Sequence, residues 1–278
     1  GSRRADGAWA VFDKRYWPGD GLTDHVLFFL KHEPLDLLVL RRVFEALPEE
    51  SLKALVYTAP TSAPVRRAWF LYEHLTGRRV DIDDAPQVPA VDVLDPKAYF
   101  TGRPRLSKRH RVRDNLLGVW RFSPVIRRTP ALTMYLSLDL AARARDTVGR
   151  TGGHLVARAA SFLLLADSRA SFQIEGERPP RNRLERWGRA VLQAGKHALT
   201  LDEIARLHNV LIEDARFVRP GLRTEGVFLG ERDHVGDPLP EFVGARAGNL
   251  ADLMTGLLEA NDRMRDDGID PVLQAAST

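Results

Sequence analysis

Apolar positions along this chain recur three and four residues apart far more often than they alternate, so helices are expected to dominate. Residues 23–47 read as one or two short helices, broken at Pro34 and stopped at Pro48. Residues 64–77 form a helix with Pro64 at its start and Gly77 at its end, the asymmetry that helix termini favour. Residues 78–104 hold Pro86, Pro89, Pro96 and Pro104 and read as an irregular, extended connection. From Thr129 the helices lengthen: one over 130–148 ended at Gly149, one over 154–175 ended at Gly176 with Pro179-Pro180 beyond, and one over 183–197. Thr200 opens a fourth, with Glu203 placed to complete a capping box and Ile204, Leu207, Val210 and Leu211 on its apolar face. Val218–Gly248 is non-helical. Within it, Val227-Phe228-Leu229, bounded by Gly226 and Gly230, is expected to be extended with an unpaired edge. A last helix starts at Asn249, carries Leu250, Leu253, Met254, Leu257 and Leu258 on one stripe, and ends at Gly268. The expected fold class is mainly α, with a helical N-terminal region over 1–128 and a helical domain with a small β-hairpin over 129–278.

Length changes this picture little: 278 residues fit about two domains at roughly 150 residues each. A content of 44% hydrophobic and 28% charged residues excludes a disordered chain. With no cysteine there is no disulfide framework, thiolate metal site or cysteine nucleophile, and a reducing cytoplasm fits. Lys plus Arg number 41 against 37 Asp plus Glu, and an excess of four bears on solubility before it bears on nucleic acid. The most apolar stretch, 159–166, is stopped by Arg158 and Asp167, far short of the roughly 20 residues that span a bilayer. The N-terminus lacks the apolar core of a signal peptide, and Gly1-Ser2 without a start Met reads as the remnant of a cleaved tag. A cytoplasmic protein with no membrane partner is expected.

Most catalytic signatures are missing. Gly149-Arg150-Thr151-Gly152-Gly153 has no Lys-Ser/Thr, so it reads as a turn and not a P-loop. The eight histidines show no metal-ligand spacing, His208 reads as a packed or partly exposed side chain, and no metal site is expected. Trp69, Phe70 and Tyr72 are expected in the core. Residues 199–210 resemble the first helix of a helix-turn-helix, but the helix continues through Leu211-Ile212-Glu213 with no turn glycine. The run Arg103, Arg105, Lys108, Arg109, His110, Arg111 and Arg113 allows an alternative reading as a nucleic-acid-binding regulator, although charge runs are usually solvated faces. The sharpest element is Ser171-Phe172-Gln173-Ile174-Glu175-Gly176. Ser171 and Glu175 are i and i+4 on a helix and share a face. Glu175 falls in the last turn, where the helix dipole disfavours a carboxylate, so a cation from another segment is expected beside it; the plain alternative is a solvated surface acid.

Downstream stand Pro220-Gly221-Leu222-Arg223-Thr224-Glu225-Gly226-Val227-Phe228-Leu229-Gly230, a long amphipathic helix, and Asp270-Pro271-Val272. In this order the segments resemble the Fic family, in its subclass with an N-terminal inhibitory helix. Ser171 to Gly176 is similar to its inhibitory motif, Ser/Thr-x-x-x-Glu-Gly/Asn. Arg223-Thr224-x-x-Val227-x-x-Gly230 is similar to the start of its flap, which lies over the nucleotide and positions a target strand by β-pairing. Asp270-Pro271-Val272 is similar to the start of the helix that leads into the catalytic loop. The likeness spans about 129–278, and Arg66–Glu73 is similar to the leader region of some bacterial members.

The resemblance implies transfer of AMP from ATP–Mg²⁺ to a hydroxyl side chain of a target protein, with Glu175, Ser171 and Gly176 regulatory. Glu175, Val227, Phe228, Leu229 and Gly230 would lie at the nucleotide, and Arg223 and Thr224 at the flap. The family's His-Pro-Phe-x-Asp/Glu-Gly-Asn-Gly-Arg loop, with its base, metal and phosphate ligands, is not in this sequence. The expectations are therefore a cut chain or an early gene end, no catalytic residue here, and no ATP or Mg²⁺ held by this chain alone. ATP and a target protein are the implied partners, with self-association and a catalytically dead docking module left open.

Overall fold

The computed structural model describes residues 3–6, 9–150, 153–174, 176, 181–191, 193, 195–211 and 221–277. In chain order the elements are β1 (Arg3–Asp6), β2 (Trp9–Phe12), α1 (Leu22–His32), α2 (Leu37–Ala46), α3 (Glu49–Thr58) and α4 (Ala63–Thr76). Five short strands come next: β3 (Val91–Asp92), β4 (Tyr99–Phe100), β5 (Arg105–Ser107), β6 (Val112–Asp114) and β7 (Ile126–Arg127). Then come α5 (Pro130–Ser137), α6 (Leu140–Gly149), α7 (Gly153–Ile174), α8 (Arg181–Val191), α9 (Leu201–Leu211), β8 (Phe228–Arg232), β9 (Pro238–Val243), α10 (Leu250–Asp266) and α11 (Pro271–Ser277). About 52% of the described residues are helical and 12% lie in strands, a mainly helical protein with small sheets. It divides into two compact units, residues 1–128 with 259–278, and residues 129–258. The expected 129–278 span is thus split, because the last twenty residues pack with the first unit.

The first unit is built around α4. Pro64 sits in its first turn, where a missing N–H costs nothing, and Gly77 ends it at φ +68° with its N–H on the Glu73 carbonyl at 3.0 Å. Val65, Ala68, Trp69, Phe70, Leu71, Tyr72 and Leu75 are all buried, so apolar contacts surround the helix as they do in a core element. Leu30, Leu40, Phe44 and Leu52 from α1, α2 and α3 pack into the same core, with the Phe44 and Tyr72 rings edge-on at 5.5 Å. The Pro-rich run 78–104 is more than a connection. Val80, Ile82, Ala85, Val93 and Leu94 enter this core, and the Ala85, Val91 and Val93 N–H groups donate to the carbonyls of Arg109, Arg111 and Arg113. The three-stranded sheet orders β3-β6-β5, parallel then antiparallel, while β4 pairs with β7. The region expected to be helical therefore ends in a strand-bearing wall.

Residues 259–278 close the unit. Ala260, Met264 and Leu273 are buried, Arg263 reaches Asp114 at 3.0 Å, and the Asp267 carboxylate accepts from the Arg105 guanidinium at 2.7 Å and from the Arg103 N–H at 3.0 Å. The best-buried side chains of α10 are thus Ala260 and Met264, and the expected stripe member Leu253 is exposed.

In the second unit the helix expected over 130–148 is two helices. At Asp139 the backbone turns to φ +42° and the carboxylate caps the Ala142 N–H at 3.1 Å, starting α6 afresh. α8 ends at Val191, short of the expected His197. Thr200 caps the Glu203 N–H at 3.1 Å, but the Glu203 carboxylate goes to Arg206 at 2.7 Å, so only half of the capping box forms.

Candidate functional site

α7 carries Ser171 in its last turn and stops at Ile174. Gly176 then adopts φ +71° with its N–H on the Gln173 carbonyl at 3.0 Å, a left-handed residue ending a helix. Glu175, the acid of the Ser171–Gly176 segment, lies outside the described residues. Apolar side chains along α7 face outward: Phe162 is 72% and Ile174 83% exposed.

The β8–β9 hairpin is built from short-range chemistry. The Arg223 guanidinium donates to the Glu225 and Ala245 carbonyls, and the Gly244 N–H donates to the Val227 carbonyl at 2.9 Å. These bonds clasp the base of the antiparallel pair. At the tip the Asp233 carboxylate accepts from the N–H groups of Val235 and Asp237, an Asx turn that closes the loop. The register slips between Leu229 and Gly230. Gly230 sits at φ +142° with the Leu239 carbonyl where a Cβ would stand, so glycine is required at this bulge. The expected strand at 227–229 is therefore β8, starting at Phe228, with Val227 just before it. Thr224 is exposed beside the clasp. Leu229, Phe242 and Val243 are each more than 60% exposed, an unusual apolar load for a two-stranded ribbon. Pro238 and Pro240 remove two N–H donors from β9, whereas β8 has none missing, so β8 offers the more complete free edge.

The structure also assembles a polar cluster in the first unit that no local sequence pattern announces. Glu73 accepts from Trp69 Nε1 at 2.9 Å, the Val80 N–H at 3.0 Å, Arg109 Nη2 at 3.2 Å and His110 Nε2 at 3.0 Å. Burial pushes the Glu73 pKa up, but the bonds from His110, Arg109, Trp69 and Val80 outweigh it and hold the carboxyl at about 2. His110 Nδ1 meets Ser107 Oγ at 2.7 Å, and the ring packs against Trp69 at 4.5 Å. The Ser107–His110–Glu73 line has the residue types of a hydrolase triad. Its histidine is only 6% exposed, and the acid is engaged from α4, the Pro-rich run and the β5–β6 turn. The arrangement is a staple between those segments.

The same geometry accounts for most of the basic run. Arg105 pairs with Asp267, Arg109 with Glu73 and Asp84, and Arg113 with Asp92 at 2.6 Å, while Arg111 Nε donates to the Val88 carbonyl. Only Arg103 and Lys108 of the seven remain exposed without a side-chain partner among the described residues, too few for a basic stripe. His208 is half-buried and accepts the Gly221 N–H at 3.4 Å. Among the described residues no three His, Asp or Glu side chains converge to hold a metal, and no helix is long and apolar enough to cross a membrane. A scan of protein-family models, a search of curated proteins and a search of solved structures each returned no match to this chain.

Proposed function

We propose that this chain supplies the inhibitory helix and the target-binding flap of a Fic-type protein adenylyltransferase, which transfers AMP from ATP to a hydroxyl side chain of another protein. The observation that carries the reading is the two-stranded hairpin β8–β9, with its free β8 edge and exposed Leu229, clasped at its base by Arg223 of the Arg223-Thr224-x-x-Val227-x-x-Gly230 pattern. A ribbon of this kind takes an extended peptide as a third strand: main-chain bonds give affinity, and exposed side chains on alternate sides give selectivity. The left-handed Gly176 follows α7, which carries Ser171 in its last turn, and this supports a helix that ends in the Ser171–Gly176 segment. Glu175 would occupy a cation that otherwise holds the nucleotide's phosphates.

Among the described residues no three His, Asp or Glu side chains are placed to hold a metal ion. The part assigned to this chain is positional: β8 aligns the target strand, and the end of α7 governs access to the nucleotide. Ala190 is the one buried apolar side chain among those whose burial is described in residues 129–258, so α7 and the hairpin present surface that a catalytic partner segment would cover. ATP labelled on its α-phosphate tests the reading. This chain with Mg²⁺ and a cell lysate should give no labelled band, and the same chain carrying the His-Pro-Phe-x-Asp/Glu-Gly-Asn-Gly-Arg loop and Glu175→Gly should give one. Labelling by the present chain alone, or none by the folded loop-bearing Glu175→Gly chain, contradicts it.

A further inference from the structure

We propose that a cleft in the first unit binds a small organic monocarboxylate, its acid group on Arg67 and its apolar body against Leu30, Leu35 and Tyr99. The cleft is half-open and offers about 520 Å³ between the end of α1, the start of α4 and the β4–β7 pair. That volume lies within the range of roughly 300–1,000 Å³ typical of small-molecule sites.

Arg67 is the group that calls for a ligand. It projects from α4, and its Nη1 makes one long bond, 3.3 Å, to the Leu30 carbonyl. Its Nε is enclosed and meets no acceptor among the described residues, so Nη1 and Nη2 are the atoms left to face a ligand. A guanidinium has five N–H donors, and a buried donor without a partner is costly. Burial also works against the arginine's charge, Tyr99 and Asp95 nearby offset only part of that, and a bound anion would restore more. Lys31 and Arg127 are exposed at the cleft and form no ion pair among the described residues. Arg128 is held on the wall, with its Nε donating to the Pro96 and Tyr99 carbonyls at 2.9 and 3.1 Å and its guanidinium 4.0 Å over the Phe100 ring.

Charge sets the class of ligand. Lys31, Arg67, Arg127 and Arg128 face Glu33 and Asp95. The C-terminus of α1 adds about half a negative charge and the N-terminus of α4 about half a positive one, which leaves a surplus of roughly two positive charges. That surplus calls for an anion, and the apolar wall of Leu30, Leu35 and Tyr99 favours an organic carboxylate over inorganic phosphate. The planar fork of a guanidinium also matches a carboxylate in two parallel bonds. The cleft is built from the first unit alone, and its ligand is independent of the proposed AMP transfer.

The test is an NMR or calorimetric titration of the whole chain with 3-phenylpropionate, its neutral amide and inorganic phosphate. The carboxylate should saturate at about 1 mM or tighter, as a ligand of this size reaches. The amide and phosphate should bind at least about 10-fold more weakly, the loss expected for removing the charge-assisted pair or its apolar complement. Arg67→Gln should weaken the carboxylate by about 10- to 100-fold, and Arg67→Lys, which keeps charge but not the fork, by less. Arg67 also ties the end of α1, so Arg127→Gln, on an exposed side chain, is the second variant; it should leave the melting temperature unchanged and weaken binding by about 2- to 5-fold. Equal binding of acid and amide, tighter binding of phosphate, unchanged affinity in folded Arg67→Gln and Arg127→Gln, or no saturation at all overturns the assignment.

Discussion

Glu73 shows how one carboxylate can be both buried and ionised. Four residues donate to it, from α4, the Pro-rich run and the β5–β6 turn, and they hold its pKa at about 2 against an ordinary 4.5. Because the folded-state value is depressed, its stabilisation is fully present above about pH 4.5 and is lost as pH falls toward 2. Glu73→Gln should cost on the order of 2–3 kcal/mol at pH 7, since it removes the charge yet leaves Arg109 and His110 in place. Urea unfolding followed by tryptophan fluorescence measures this, and the gap between wild type and mutant should narrow steadily below pH 4.5; a gap that ignores pH removes Glu73 as the staple. Only half of this cluster is legible in the sequence. Trp69 and Glu73 are four apart on a clear helix, but Arg109 and His110 lie 36 and 37 residues on from Glu73, inside what reads as a solvated charge run. Local patterns carry no record of such pairings.

Elements are legible where their ends are written in residue types with strong backbone preferences. Pro64 and Gly77 bracket α4, Gly176 comes just after α7, and Gly226 and Gly230 frame the start of β8. The break between α5 and α6 is not legible, because Asp139 both accepts a left-handed backbone and caps α6, while the apolar spacing runs on regardless. The stripe expected along α10 is misplaced for a related reason: periodicity marks a face, and tertiary packing chooses Ala260 and Met264 over Leu253. At the hairpin, Gly230→Ala should collide with the Leu239 carbonyl and disrupt the bulge. The expected result is loss of amide protection across 228–243, with the first unit's exchange rates unchanged. Full protection in the mutant shows that the bulge does not depend on glycine. Because β8 carries the proposed target-binding edge, the same mutant in a loop-bearing chain should lose target labelling more than self-labelling.

The whole molecule divides differently from its linear order, with residues 259–278 returning to pack on the first unit. Met264, fully buried, tests that return: Met264→Ala should cost about 2–5 kcal/mol. In a calorimetric scan the transition assigned to the first unit should move down while that of residues 129–258 stays in place; a shift confined to the second unit contradicts the division. No linear reading assigns these twenty residues, since the long α10 looks continuous from Leu250 to Asp266 and only its packing partners change along it. The central functional claim is that the end of α7 restrains AMP transfer. Its most direct test compares AMP incorporation by wild-type and Glu175→Gly chains that carry the catalytic loop, with melting temperatures measured alongside. Removing a charge-assisted bond worth about 1.5–3 kcal/mol should raise incorporation by roughly 10- to 150-fold at equal stability. Equal incorporation by two equally folded proteins would make Glu175 an ordinary surface acid and remove the inhibitory-helix reading.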